Sequence, residues 1–335
     1  MITAPDLRTV IISCIHAALR APSSHNCQPW LFVVVNDEYI EVWGNKSRQL
    51  PLSDTNNRQF YESIGCAIQH IVITADYYRY AAQVDLFPTA SDMFHVATIS
   101  FKLLADAPQA ESSHLFFSIP LRHSNREPYD RTPVPEALID SIRQCATDDM
   151  RIDIVSDDRR RHLSQIAMDA TATAFADRGF CDELSRWMRP SLKKYKDGMP
   201  GYNIGVPWLI SFLIPFALRH FNLINQQVAM VKTMLDHTET FLIISTASDD
   251  PETWVRVGMT WERIALMVTA SGVRIGMLAA PIQIGEHYRE IQNVLQSSYR
   301  PQTFSRIGFT RRVPVASPRL SFDDVVRFSQ RNVVE

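Results

Sequence analysis

Two long helical stretches constrain this chain more than any other feature. Phe60, Ile64, Ala67, Ile68, Ile71, Val72 and Ala75 recur at helical spacing within residues 58–82. Val257, Trp261, Ile264, Ala265, Val268 and Thr269 do the same in a segment that opens at Asp250-Pro251-Glu252 and runs to about residue 275. A stripe this broad does not belong on a surface; such a helix needs cover around most of its circumference. Shorter segments lie around each. Residues 30–35, 39–43 and 94–103 read as strands in the first part of the chain, with Asn36-Asp37 as the turn between the first two. Residues 151–155, 241–245 and 303–309 read as strands in the second part. Helices are expected over about 5–21, from Pro133 to about 145, from after the 151–155 strand to about 177, and over about 286–297. Strands and helices mixed without strict alternation predict an α+β fold.

Residues 180–225 break this rhythm. They hold Trp187, Tyr195, Tyr202, Trp208, Phe212, Phe216 and Phe221, with prolines at 190, 200, 207 and 215. The stretch is too apolar for a solvated linker, so it must cover a core or a ligand. The expected organisation is a first half at 1–115 and a second at 116–335, with 180–225 as an apolar lid on the second.

Composition narrows the function. The chain has 335 residues and a formal net charge of -2, which removes the bulk electrostatic case for a nucleic-acid partner. It holds 11 glycines, and neither GxGxxG nor GxxxxGK[ST] occurs, so a glycine-loop phosphate site is not expected. The best apolar run, 206–221, is too short for a membrane span and is broken by Pro207 and Pro215. The expectation is a cytoplasmic protein with no membrane partner. Cys14, Cys27, Cys66, Cys145 and Cys181 form no CxxC pair, which fits reduced thiols and no structural metal. No HExxH or GxSxG motif is present.

Three short segments carry chemistry. Ala21-Pro22-Ser23-Ser24-His25-Asn26-Cys27-Gln28-Pro29-Trp30 is dense in hydroxyl and amide groups, lying between a helix and a strand. Arg122-His123-Ser124-Asn125-Arg126 places two guanidinium groups around an imidazole and a hydroxyl. Ser317-Pro318-Arg319 adds a distant arginine. Arginines that converge can hold a phosphate through charge-assisted bonds. Taken singly, each segment also has an ordinary reading as turn chemistry or a solvated surface run. His25 reads either as a loop hydrogen-bonder or as a proton donor at a ligand, and Cys27 as a small buried residue or a redox thiol.

In this order the segments resemble the nitroreductase-like FMN flavoprotein family. "APSSHNCQPW" is similar to its flavin loop, and "RHSNREPYDRTPVPEALI" to its Arg-Ser opening and first helix. "ASGVRIGMLAAPIQIGEHYREIQNVL" is similar to the helix and turn that reach the flavin ring, and "RIGFTRRVPVASPRLSFDDVV" to its C-terminal phosphate segment. The order departs from that of an ordinary member, where the Arg-Ser opening precedes the Ser-Asn loop. Here the loop comes first and the opening follows nearly a hundred residues later. Family dimers build each flavin site from both subunits. The inverted order therefore resembles the Acg-like branch, in which one chain mimics the dimer. The resemblance implies two degenerate halves forming an internal pseudo-dimer with a nitroreductase-like fold, one FMN site and a monomeric state.

The resemblance also implies site residues. Arg122, Ser124 and Arg319 would hold the ribityl phosphate, and Arg126 would face the pyrimidine edge, with His123 beside them. Pro22, Ser23, Ser24 and Asn26 would reach in from the other half, and Gln283 would aim a backbone amide at flavin N5. Ser317 stands where the family often carries a basic residue, a loss that Arg311 or Arg312 would have to compensate. Two functions stay open. One is an oxidoreductase that passes hydride from NAD(P)H through FMN to an electron-poor acceptor such as a nitroaromatic or quinone. The other is an FMN-storing or sequestering protein with the lid closed over the flavin.

Overall fold

The computed structural model describes residues 5–105, 110–312 and 315–330. Its nine longer strands are, in chain order, β1 (Trp30–Val35), β2 (Tyr39–Gly44), β3 (Tyr80–Leu86), β4 (His95–Leu103), β5 (Met150–Val155), β6 (Thr240–Thr246), β7 (Arg274–Met277), β8 (Arg300–Gly308) and β9 (Val326–Ser329). They form two sheets. One has the order β9-β1-β2-β4-β3 and the other β5-β6-β8-β7. The first four strands and the second four are thus arranged alike: first, second, fourth, third. In each set the long helix lies between the second and third strands, as Arg58–Tyr77 and Pro251–Ala270. The fold is α+β, with two halves of matching topology.

The two long helices cross at the centre, where all but three residues of Arg58–Tyr77 are buried. The crossing is reciprocal. A Cβ on Gly65 would lie 2.1 Å from the Val255 carbonyl oxygen, and one on Gly258 would lie 2.0 Å from that of Glu62. Gly65 and Gly258 are 193 positions apart, and so are Glu62 and Val255. The same small-residue contact is therefore made twice, once from each half, as a two-fold axis requires. Ile64, Ile68, Ile71, Val257, Ile264 and Val268 fill the core around it. Each fully buried side chain of this size contributes about 1.5–3 kcal/mol.

Local chemistry explains the ends of the elements. The 251–270 helix is capped by Asp250, whose side chain accepts from the Thr253 N–H at 2.9 Å, with Pro251 in the first turn. Asn36 and Asp37, with φ of 52° and 56°, make the tight turn between β1 and β2. Both long helices are shorter than their stripes predict. The first ends at Tyr77, and residues 80–82, expected in the helix, pair with β4 instead. Arg79, at φ 69°, breaks the path. The second ends at Ala270, where Gly272 turns left-handed at φ 74° and the chain leaves as β7.

Two features fall outside the matching topology. Residues 156–239 separate β5 from β6, where the first half has only the Asn36-Asp37-Glu38 turn. This insertion carries helices Arg159–Ala176, Arg178–Trp187, Trp208–Ser211, Ile214–His220 and Ile224–Leu235. The expected lid at 180–225 is therefore a series of short helices joined by non-helical segments. The chain end also crosses back: β9 pairs parallel with β1, Phe32 opposite Val326. That return brings residues 315–319 onto the first half.

Candidate functional site

The first wall is the loop between helix Leu7–Ala18 and β1. His25, Asn26 and Gln28 hold φ of 51°, 55° and 55°. Three non-glycine residues in left-handed conformations so close together store strain that surrounding bonds must hold. The Ser23 hydroxyl accepts from the Gln28 N–H at 2.9 Å, and the Ser24 hydroxyl donates to Gln59. His25 Nε2 lies 3.2 Å from the Ser53 hydroxyl. Asn26 Nδ2 donates to the carbonyls of Gly198 and Pro318, each at 3.0 Å. Fully buried Gln28 donates to the Lys196 carbonyl at 2.9 Å and accepts from the Leu320 N–H at 2.8 Å. It ties the loop to both the insertion and the returning chain end.

The second wall comes from the other half. Residues 122–126 lie along β7, where the Asn125 N–H donates to the Ile275 carbonyl at 2.8 Å. The approach needs Gly276, since a Cβ there would sit 2.2 Å from the Asn125 carbonyl oxygen. Arg122 is buried, with Nε 2.8 Å from Glu262 Oε1. His70 Nε2 lies 2.7 Å from the same oxygen, and its Nδ1 lies 2.8 Å from the Ala17 carbonyl. Glu262 Oε1 is thus shared by Arg122 on one side and His70 on the other. Arg122 Nη1, by contrast, has no hydrogen-bond partner among the described residues.

The third wall is 315–319. Arg319 donates through Nη1 to Asn26 Oδ1 at 2.9 Å and through Nη2 to the Arg20 carbonyl at 3.1 Å. Its buried Nε has no partner among the described residues. The three walls enclose one pocket. Arg20, Arg122, Arg126 and Arg319 line it with His25 and His123, and its lining includes no carboxylate. The electrostatics follow. Burial and then the surrounding Arg122, Arg319, Arg274 and Arg20 push His123 down to about 4. Burial and then Arg122 push Arg319 down to about 9, so it remains charged at neutral pH. Burial holds His25 near 4 as well. Positive charge packed this way, with guanidinium N–H groups unspent, is a site for an anion.

The insertion contributes to the pocket. Met199 and Asn203 are part of the lining. The Gly198 N–H donates to the Asn26 carbonyl at 3.2 Å, returning the bond that Asn26 gives it. Asn203 Nδ2 donates to the Val315 carbonyl.

Pro22, Ser23, Asn26, Arg122, His123, Ser124, Arg126, Ser317 and Arg319 line this pocket together. Ser24 and Gln283 are not among the lining residues. Ser24 is turned to Gln59. The Gln283 backbone N–H is spent on the Ala279 carbonyl at 3.0 Å, and its side chain bonds Arg58 and Asp54. Asn26, expected to face the ligand, has its side chain committed to Gly198, Pro318 and Arg319. Arg312 pairs with Glu127 at 3.2 Å, and neither it nor Arg311 reaches the lining. The extra cation is Arg20, one position before the loop motif and therefore missed. Met199 and Asn203 were also missed, since apolar content shows burial but not its target. Cys27 is buried with its thiol pushed up to about 12, so it is not a thiolate at neutral pH.

No family model matches the chain. Full-length relatives do. The Mycobacterium tuberculosis H37Rv protein named "Putative NAD(P)H nitroreductase acg" is 24% identical over 322 residues, covering 94% of this chain and 95% of that protein. The protein of the same strain named "Putative NAD(P)H nitroreductase Rv3131" is 27% identical over 310 residues, covering 91% of this chain and 86% of that protein. The crystal structure of the FMN-dependent nitroreductase NfnB from Mycobacterium smegmatis in complex with NADPH aligns over 65% of this chain and 99% of its own. It is 14% identical, with a TM-score of 0.42. The chain is thus similar to proteins named putative NAD(P)H nitroreductases. The similarity runs along more than nine-tenths of its length.

Proposed function

We propose that the pocket binds FMN and that the protein is an NAD(P)H-dependent oxidoreductase acting on an electron-poor acceptor. One observation carries the reading: four arginines share a pocket whose lining holds no carboxylate, and buried N–H donors of Arg122 and Arg319 are left over. A phosphate monoester, at about −1.5 to −2 charge near neutral pH, fits that cradle. FMN supplies the hydride-accepting chemistry. The chain would hold the phosphate with Arg122 and Arg319, with Arg20 as an added cation. Arg126, at the pocket edge beside Met199 Sδ at 3.8 Å, would place positive charge near the ring. The names of the relatives support the nicotinamide dependence. The matching halves support a fused pair with one complete site and a single-chain, monomeric protein.

The storage reading draws on one feature, the bonds that sew residues 198–203 to Asn26 and Val315 over the pocket. A closed cover would hold flavin and keep nicotinamide out.

The binding test is a titration of FMN with inorganic phosphate as competitor, on wild type and Arg319→Ala. The substitution should weaken FMN about ten- to a hundredfold, the worth of a charged hydrogen-bond pair, and phosphate should compete in wild type. Equal affinity in both proteins, or no competition, would remove Arg319 from the site.

A further inference from the structure

Residues 208–221 of the cover present their apolar side chains outward. Trp208, Leu209, Phe212, Leu213, Phe216 and Phe221 are between 43% and 71% exposed. They sit on or beside the short helices Trp208–Ser211 and Ile214–His220, with Phe212, Leu213 and Phe221 at the helix ends, and each helix has a proline at or just before its first turn. The second helix buries only Leu218, against Leu184 and Met188. No charged residue occurs from 198 through 218. A soluble monomer rarely leaves a patch like this bare.

Charge identifies the occupant. Residues 180–225 carry six lysines and arginines against three aspartates and glutamates, a net of +3 in a chain of net -2. Lys193 and Lys194 are exposed and make no ion pair among the described residues. A second copy docked two-fold through this face would bring two +3 segments together. An anionic lipid surface meets both needs. Headgroups take the lysines, and the Trp-Leu-Phe side chains enter the interface, as in amphipathic elements that lie on a bilayer without crossing it.

We propose that the 208–221 element docks the protein onto anionic membranes. No helix among the described residues is long and apolar enough to cross a membrane, and this mode needs none. It departs from the expectation of no membrane partner, which rested on the missing span alone. Met199 and Asn203 of the same insertion line the pocket, so docking would set that side of the pocket near the lipid interface. The proposal does not depend on which ligand the pocket takes.

The test is co-sedimentation of the full chain with vesicles of phosphatidylglycerol and phosphatidylcholine in equal parts, against pure phosphatidylcholine. Wild type should partition onto the anionic vesicles, with a blue shift in tryptophan emission. Leu209→Ser/Leu213→Ser/Phe216→Ser, all exposed and outside the pocket, should lose at least about a hundredfold in partition at the apolar transfer scale. Lys193→Glu/Lys194→Glu should lose at least about tenfold on anionic vesicles at ~1 kcal/mol per lysine. Wild type left in the supernatant, or a triple-serine variant that binds equally, overturns the proposal. So does a wild-type dimer in light scattering that the triple variant dissolves, which would make a second copy the occupant.

Discussion

Glu262 is the residue whose loss most sharply tests the electrostatics of the pocket. Its side chain is fully buried, and one oxygen lies 2.8 Å from Arg122 Nε and 2.7 Å from His70 Nε2. Glu262→Gln keeps the volume and an acceptor but removes the carboxylate that pairs with buried Arg122 among the described residues. Breaking a buried pair by removing one partner costs about 3–5 kcal/mol, because the remaining charge stays uncompensated. At ~2.1 cal/mol/K per residue, the unfolding entropy of 335 residues is roughly 0.7 kcal/mol/K. The expected drop in Tm is therefore about 4–7 °C by calorimetry or dye-based melting. The same change should make the pocket more positive and bind anions more tightly. Phosphate should then raise the Tm of the Gln variant at a lower concentration than it needs for wild type. A variant that melts within about 1 °C of wild type, or phosphate protection identical in both, would refute the claim that Glu262 balances Arg122.

Further outcomes follow from other parts of the molecule. Gly65→Ala would put a Cβ 2.1 Å from the Val255 carbonyl oxygen, so a loss of about 3 kcal/mol or outright misfolding is expected in denaturant melts. An exposed-site Ala control should change little. His25 and His123 have folded pKa values near 4 against an ordinary 6.5. Between these values the unfolded chain binds more protons, so stability should decline as pH falls from about 6.5 to 4 and level off below. Histidine NMR should also show the His123 pKa rising when phosphate binds; a flat titration would show that no anion sits beside it. Asn203→Ala removes the bond to the Val315 carbonyl. It should loosen the cover, speeding flavin reduction by NAD(P)H in stopped flow; an unchanged rate would mean that this bond does not gate entry.

Much of the site was legible because its chemistry is written in contiguous runs. The loop at 22–26, the segment at 122–126 and Arg319 are recognisable by residue type and order, and the fold brings all three to one pocket. Arg20 escaped notice because only the left-handed loop after it turns its neighbourhood inward. Glu262 and His70 were hidden inside helical stripes, where spacing reports burial and not partners. Gln283 shows the reverse: its motif pointed to the flavin, yet its groups are spent on Ala279, Arg58 and Asp54. The core helices were legible from their period, but their ends were set by Arg79 and Gly272, single residues whose left-handed φ no stripe reveals. Strand β9 is four residues long and pairs with a strand nearly three hundred positions away, a contact that local pattern does not encode. The outward face of 208–221 was misread as burial for the same reason.

The central claim is a flavin held for turnover between the two halves. The most direct measurement is the visible spectrum of the purified protein, reconstituted with FMN where needed, before and after anaerobic NADPH or NADH. A yellow protein that bleaches, and recovers its colour with a nitroaromatic or a quinone, is the predicted result. Arg122→Ala/Arg319→Ala should purify colourless. A yellow protein that ignores nicotinamide but bleaches with dithionite would replace turnover with storage, and a colourless wild type that takes up no FMN would contradict the account.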